Sequence, residues 1–150
     1  MKGLPRILVA KVQSKYNYRS FKPENSVIWI FRHFLFLNSL IKVGEIIKKS
    51  YNENNNYIIN YKFFTVPLER TSLMVKRLEY LANKQGIKGM EDVYVLFKDI
   101  YQLYYVLLRM VIKSNIIDDK SNIIEKICEG IVSVTKNEKL AFEMLLEKLD

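Results

Sequence analysis

The side chains that could act as nucleophiles or as metal ligands are few. The chain holds one cysteine and one histidine. Cys128 falls at an inward position of an isoleucine-rich helical pattern, where cysteine is usually a small buried hydrophobic residue rather than a nucleophile. His33 stands inside "WIFRHFLF" with no carboxylate or cysteine near it in sequence. One cysteine and one histidine do not make a zinc site, so we predict a protein that is not an enzyme and that has no metal or cofactor.

The acidic pair Asp118 and Asp119 has two interpretations. Adjacent carboxylates can hold a magnesium ion through their oxygen atoms. Acids just before a helix more often cap it and complement the positive end of its dipole. A helical pattern begins directly after this pair, so we favour the capping role.

A glycine pair lies between two helical patterns in the segment "QGIKGMED", residues 85–92. Gly86 and Gly89 form the GxxG pattern with which KH domains clamp a nucleic-acid backbone, and the segment is also similar to the hairpin of helix-hairpin-helix modules. Neither match extends further, because "LANKQ" replaces the apolar residues that a KH domain has before the loop, and a hairpin module has its glycines two apart. The alternative is a helix C-cap, a turn and a new helix. Phosphate contact would use Lys84, Lys88 and the free backbone donors.

The stretch "KYNYRSFKP", Lys15 to Pro23, is the best candidate for a binding segment. Lysine and arginine neutralise phosphates, while aromatic rings stack on unpaired bases, a combination that suits single strands. Alternatively, the rings fold back on the core and leave only the cations outside. The predicted nucleic-acid contacts are Lys11, Lys15, Tyr16, Tyr18, Arg19, Lys22, Lys84 and Lys88.

Charge is distributed unevenly along the chain. The 24 basic and 16 acidic residues give a net charge of +8. Residues 1–22 hold six basic groups and no acid, and the sequence through residue 89 is basic, whereas residues 90–150 carry more acids than bases. A basic front could face phosphates and an acidic back could face a basic partner. The alternative is codon bias, since Ile, Lys, Asn and Tyr all have AT-rich codons.

The compartment is predicted from cysteine usage and from two apolar segments. A single cysteine cannot form an internal disulfide, which fits a reducing cytoplasm. The apolar run near the N-terminus, residues 7–10, is too short for a secretion signal. Residues 27–47 and 93–112 are apolar but each carries several charges, and a charge inside the bilayer costs ~2.5 kcal/mol or more. We therefore predict a cytoplasmic protein without a membrane contact.

The elements that would position these residues are mainly helical. At 150 residues and 49% apolar content, the chain is long enough for a single domain spanning residues 1–150. Residues 4–13 and 57–66 are rich in strand-forming side chains, and we expect them to pair as a small accessory β-hairpin on a compact helical bundle. We predict about five helices: one from Pro23 to about Ile47, one that begins after Pro67 and stops at Gly86, one from Met90 to Lys113, one after "DDKSN", and one opened by the capping box from Thr135 to Glu138.

The central helix is predicted to be covered on most of its surface. Its positions at helical spacing form two apolar faces and a single polar stripe. The first apolar face holds Val93, Phe97, Ile100, Tyr104, Leu107 and Val111. The second holds Tyr94, Tyr101, Leu108 and Ile112, and the polar stripe holds Lys98, Gln102, Arg109 and Lys113.

The helical series "ERTSLMVKRLEYLANKQGIKG" is followed by "VYVLFKDIYQLYYVLLRMVIKS". With the small size, the basic front, the composition rich in Ile, Lys and Tyr, and no catalytic residues, this layout resembles the small subunits of archaeal CRISPR effector complexes of the type I-A kind. The resemblance implies a non-catalytic subunit that stacks along the crRNA-bearing backbone and contacts the target strand or its displaced partner. If the chain is such a subunit, the residues expected to contact phosphates are Lys15, Arg19, Lys22, Lys84 and Lys88.

Two function classes remain open. The first is an accessory subunit of a nucleoprotein complex, which binds single-stranded RNA or DNA through its basic half and other protein subunits elsewhere, with self-association possible. The second is an assembly module of an archaeal virus or plasmid with no direct role on nucleic acid. Exposed apolar side chains on the central helix would favour the second class.

Overall fold

The computed structural model describes residues 23–84 and 88–149, and these residues form four helices and no strand. We label the helices α1 to α4 in chain order. They are α1 (Pro23–Glu53), α2 (Lys62–Lys84), α3 (Met90–Ser114) and α4 (Ser121–Leu149). Helix α2 packs on α3, α3 on α4, and α4 on α1, so the bundle runs α2, α3, α4, α1 in space.

The core is built around α3, and the first apolar face predicted for it is confirmed. All six residues of that face are buried, as is Met90 at the start of the helix. Phe97 meets Phe142 of α4 edge to face, with ring centroids 5.2 Å apart. The spacing of three and four residues along α3 therefore identifies the surface that packs against two neighbouring helices. The expectation that α3 is covered on most of its surface is wrong, because Val95, Tyr105, Val106 and Ile112 are exposed.

The predicted break before the last helix is wrong, because α4 runs without interruption from Ser121 to Leu149. Thr135 does not cap a new helix. Its hydroxyl lies 2.9 Å from the carbonyl oxygens of Ile131 and Val132, in the preceding turn. Glu138 accepts a hydrogen bond from the Tyr104 hydroxyl at 2.7 Å. The side chains of Thr135 and Glu138 thus form hydrogen bonds that leave the helix uninterrupted. The structure therefore has one long helix where the sequence predicted two.

The prediction of a β-hairpin is also wrong, because its second strand, residues 57–66, does not form. Residues 57–60 have no regular structure, and α2 begins at Lys62, inside the expected strand. Its start is capped by Asn60, whose side-chain oxygen accepts the Lys62 N–H at 3.0 Å. Pro67 lies inside this helix rather than before it. The expected first strand, 4–13, lies outside the described residues.

A turn directly precedes α3, as the sequence predicted. Gly89 precedes Met90 with a φ of 82°, a left-handed conformation that favours glycine. Glu91 and Asp92 lie in the first turn of α3, where negative charge complements the helix dipole. None of the described helices is long and apolar enough to cross a membrane.

Candidate nucleic-acid interface

Two of the eight predicted contact residues, Lys84 and Lys88, lie at the α2–α3 connection. The other six, Lys11, Lys15, Tyr16, Tyr18, Arg19 and Lys22, lie outside the described residues. Lys84 is the last residue of α2, and Lys88 is exposed in the turn before α3. Of the GxxG segment, the structure therefore describes only its second half, where Lys88 precedes the left-handed Gly89.

In the acidic pair Asp118 and Asp119, the capping role favoured from the sequence is seen for Asp119. The Asp119 carboxylate accepts hydrogen bonds from the N–H and the hydroxyl of Ser121, at 3.2 and 2.9 Å, and so caps the start of α4. In the described part of the chain, no three of the His, Cys, Asp and Glu side chains are grouped so that they could hold a metal ion.

Helix α2 carries the positive charge of the described bundle. It has five basic and two acidic residues, whereas α3 has three of each and α4 has four basic and five acidic residues. Together with the six basic groups of residues 1–22, α2 therefore accounts for the net charge of the protein. A local excess of this kind attracts phosphate groups.

One exposed stripe of α2 combines arginine with aromatic and aliphatic side chains at spacings of three and four residues. We call it the outer face of α2. All of its members are exposed to solvent, and neither acid of the helix occupies a position in it. Its residues are Phe63, Val66, Arg70, Leu73, Arg77 and Tyr80.

The geometry of this face follows from the helical repeat. Phe63 and Tyr80 are separated by about 25 Å at 1.5 Å per residue, and Arg70 and Arg77 by about 10 Å. The two residues are 47% and 50% exposed, so both are within reach of a ligand. Lys84 continues the seven-residue register of the two arginines in the sequence. The stripe thus alternates cationic and apolar contacts along one line.

Arg70 also contacts α1. Its guanidinium carbon lies 5.4 Å from the centroid of the Phe36 ring, within cation–π range. This contact orients Arg70 towards α1, whereas Arg77 lies two turns further along α2.

A shallow groove of about 380 Å³ lies between the end of α1 and the start of α4, and its wall includes Lys48, Glu125, Cys128 and Glu129. Burial raises the pKa of the Cys128 thiol. Lys48 opposes that shift, and the two glutamates add to it. Cys128 is only half-buried and lines the groove, so the fully buried position expected from the sequence is wrong. A thiol with a raised pKa is a poor nucleophile at neutral pH. Its sulfur lies 3.6 Å from the carbonyl oxygen of Gly44.

The buried polar pair of the core is Tyr104 and Glu138. Both side chains are almost completely inaccessible, and they join α3 to α4 through the hydrogen bond at 2.7 Å. Burial, followed by the charge of Glu138 and its hydrogen bond, raises the pKa of Tyr104 far above its ordinary range. The hydroxyl therefore stays protonated and acts as a structural donor.

Sequence reasoning missed the outer face of α2 although the signal was present. The spacing of Met74, Leu78 and Leu81 identified this helix, and two of these three residues are buried. A second apolar series, Phe63, Val66, Leu73 and Tyr80, has the same periodicity on another side of the helix. Reading that second series together with Arg70 and Arg77 would have indicated a face that combines charge and aromatic rings.

Comparison with known proteins gives no relative for this chain. No protein-family model, no curated protein and no solved structure matches it.

Proposed function

We propose that this protein is a non-catalytic subunit of a nucleoprotein complex that binds single-stranded nucleic acid. The outer face of α2 is the observation that carries the proposal. It offers two arginines and two accessible aromatic rings on one line, on the most basic helix of the bundle. The basic residues of the first 22 positions would extend the same contact.

Phosphate neutralisation would supply most of the affinity. Each cation that meets a phosphate releases a condensed counterion, so the affinity falls linearly with the logarithm of the salt concentration. Phosphate contacts carry no sequence information, so discrimination between sequences would be small. The contribution of Arg77 is accessible to test because it makes no described contact to α1.

Phe63 and Tyr80 favour a single strand over a duplex. Stacking of a base on an aromatic ring is worth ~1–3 kcal/mol and tolerates any sequence, since every base has a flat face. In a duplex those faces are stacked on neighbouring bases. The two rings lie about 25 Å apart along α2, so a bound strand would have to follow the helix for several nucleotides.

The experiment is a fluorescence anisotropy titration of labelled single-stranded RNA, single-stranded DNA and duplex DNA at about 50 and 200 mM salt. Arg77→Gln should weaken binding to every sequence and lower the slope of log affinity against log salt by about one. Tyr80→Leu should weaken binding to single strands and leave the salt slope unchanged. The matched control is Lys136→Gln, which removes an exposed cation from α4.

A variant with Lys15, Arg19 and Lys22 all changed to alanine tests the first 22 residues separately. If it weakens binding and Arg77→Gln does not, the contact belongs to the N-terminal segment alone and the role of α2 is wrong. Affinity that does not depend on salt, or absence of binding to all three probes at low salt, contradicts the whole proposal.

The assembly to which such a subunit belongs is part of the same proposal. The resemblance to CRISPR small subunits supports a place in an effector complex on an RNA-bearing backbone. An assembly role is favoured by a separate observation: α3 exposes Val95, Tyr105, Val106 and Ile112, although it is the central helix of the bundle.

A further inference from the structure

The side of α3 that points away from the core carries an unusual mixture of residues. Val95 and Val106 are 54% and 49% exposed, and they are eleven residues apart, which places them on the same line of the helix after three turns. We call this line the outer face of α3. Its residues, all of which are exposed, are Val95, Asp99, Gln102, Val106, Arg109 and Lys113.

Charge along this face changes sign from one end to the other. Asp99 lies in its N-terminal half, whereas Arg109 and Lys113 lie in its C-terminal half. Lys113 lies in the last turn of α3, where the helix dipole favours a cation. The dipole does not explain Asp99 or Arg109, because its effect falls off within the first and last turns and both residues lie further inside.

Asp99 and Arg109 are too far apart to form an ion pair with each other within one chain. They are ten residues apart, or about 15 Å along the helix axis. Within the described part of the chain Asp99 forms no ion pair, and Arg109 lies over the ring of Tyr105 at 5.9 Å. The two charges therefore face solvent with their opposite partners out of reach.

We propose that a second copy of this chain docks on the outer face of α3, antiparallel to it, through two reciprocal ion pairs between Asp99 and Arg109. In an antiparallel pair of identical helices, residues face each other when their numbers add up to a constant. Asp99 opposite Arg109 sets Gln102 opposite Val106, and Val95 opposite the aliphatic stem of Lys113. The two-fold axis then passes at the level of Tyr104.

The pattern identifies a second copy rather than a different protein, because the face is complementary to itself. Rotation about the two-fold axis brings each acid onto a base, whereas a parallel arrangement brings Asp99 onto Asp99. A contact in which the same patch is used twice closes after two subunits, as in most homodimers. Asp99 and Arg109 are exposed, so they would act mainly by setting register and orientation. The apolar contact would come from Val95 on the stem of Lys113 and from Val106 on the aliphatic part of Gln102.

The expected association is reversible. The paired segment, Val95 to Lys113, is about 28 Å long, and one helix pair of this length covers less than the ~800 Å² per partner of a standard stable interface. Dimer formation should therefore depend on concentration. The inference does not depend on nucleic-acid binding, because the face lies on another helix and the test contains no nucleic acid.

The test is sedimentation equilibrium of the full chain over a series of concentrations, with circular dichroism to establish that each variant is folded. The wild type should form dimers as concentration rises. Asp99→Arg and Arg109→Asp should each weaken dimerisation at least about tenfold, because each places like charges opposite one another twice. The matched controls are Glu143→Arg and Lys136→Asp, equivalent changes on exposed positions of α4 that should leave dimerisation unchanged.

The decisive sample is an equimolar mixture of the Asp99→Arg and Arg109→Asp variants. In a mixed dimer every opposed pair has opposite charges again, so association should return to the wild-type level, and the double variant that carries both changes should also dimerise. A wild type that stays monomeric at every concentration overturns the proposal. So do single variants that dimerise like the wild type, and so does a mixture that stays monomeric.

Discussion

The side-chain amide of Asn115 forms two hydrogen bonds with the backbone of Ile59, 56 residues earlier in the chain. Its oxygen accepts the Ile59 N–H at 2.9 Å, and its nitrogen donates to the Ile59 carbonyl at 2.8 Å. The amide thus satisfies the two backbone groups that a neighbouring strand would otherwise satisfy. Nearby, the ammonium group of Lys120 lies 3.4 Å from the Tyr57 carbonyl oxygen. The α1–α2 and α3–α4 connections are therefore held together at one end of the bundle.

Replacing Asn115 by alanine should lower the free energy of unfolding by about 2–3 kcal/mol, because it leaves two backbone groups of the buried Ile59 without these partners. Urea denaturation monitored by circular dichroism measures the change. Asn54→Ala is the matched control, since the side chain of Asn54 accepts one exposed N–H, from Asn56. Equal losses in the two variants would show that the Asn115 bonds contribute no more than an exposed turn.

Tyr104→Phe should destabilise the protein by about 1–3 kcal/mol, since it removes a buried hydroxyl that donates to Glu138 while the shape of the ring is kept. Glu138→Gln keeps a carbonyl oxygen as acceptor and should cost less. Denaturant titrations of the three proteins rank them. A Tyr104→Phe variant as stable as the wild type would mean that this bond contributes nothing beyond packing.

Two helical glycines should respond in opposite directions to alanine. A Cβ at Gly44 would lie 3.4 Å from the nearest atom of Ile131, an ordinary contact, so Gly44→Ala should stabilise α1 by about 0.5–1 kcal/mol through helix propensity.

A Cβ at Gly130 would instead lie 2.6 Å from a δ-methyl group of the buried Leu107, which would have to move. Overpacking of this kind costs about 1–3 kcal/mol, so Gly130→Ala should be the less stable of the two variants and less stable than the wild type. Thermal unfolding of the two variants side by side measures the difference. A stabilising Gly130→Ala would show that Leu107 repacks freely.

The Cys128 thiol should react with iodoacetamide more slowly than free cysteine at neutral pH, because burial raises its pKa and the thiolate is the reacting form. Raising the pH should speed the reaction. Lys48 lowers this pKa and Glu125 raises it, so at fixed pH Lys48→Gln should slow alkylation and Glu125→Gln should speed it. Mass spectrometry of the alkylated fraction over time gives the rates, and identical rates in both variants would contradict the assigned charge effects.

The buried face of α3 could be predicted from its sequence because the spacing of apolar residues is a local property. The six apolar residues spaced three and four apart between Val93 and Val111 fall on one side of any α-helix, whatever packs against it. The same applies to the turn at Gly89 and to the excess of basic residues along the first part of the chain. The sequence was therefore sufficient for the helical class, the centre of the core and the sign of the charge.

Tertiary contacts determined the secondary structure wherever the local sequence was compatible with two arrangements. Residues 57–66 have strand-forming side chains, but Asn115 takes the backbone groups of Ile59 and Asn60 caps a helix at Lys62. Thr135 and Glu138 match a capping box, yet Tyr104, 34 residues away, provides the partner that allows α4 to continue. The outer face of α2 depends in the same way on which of its two apolar sides α3 covers. In each case two local arrangements satisfy the same residues, and a partner distant in sequence selects between them, because burial and hydrogen bonding are satisfied only in the assembled fold.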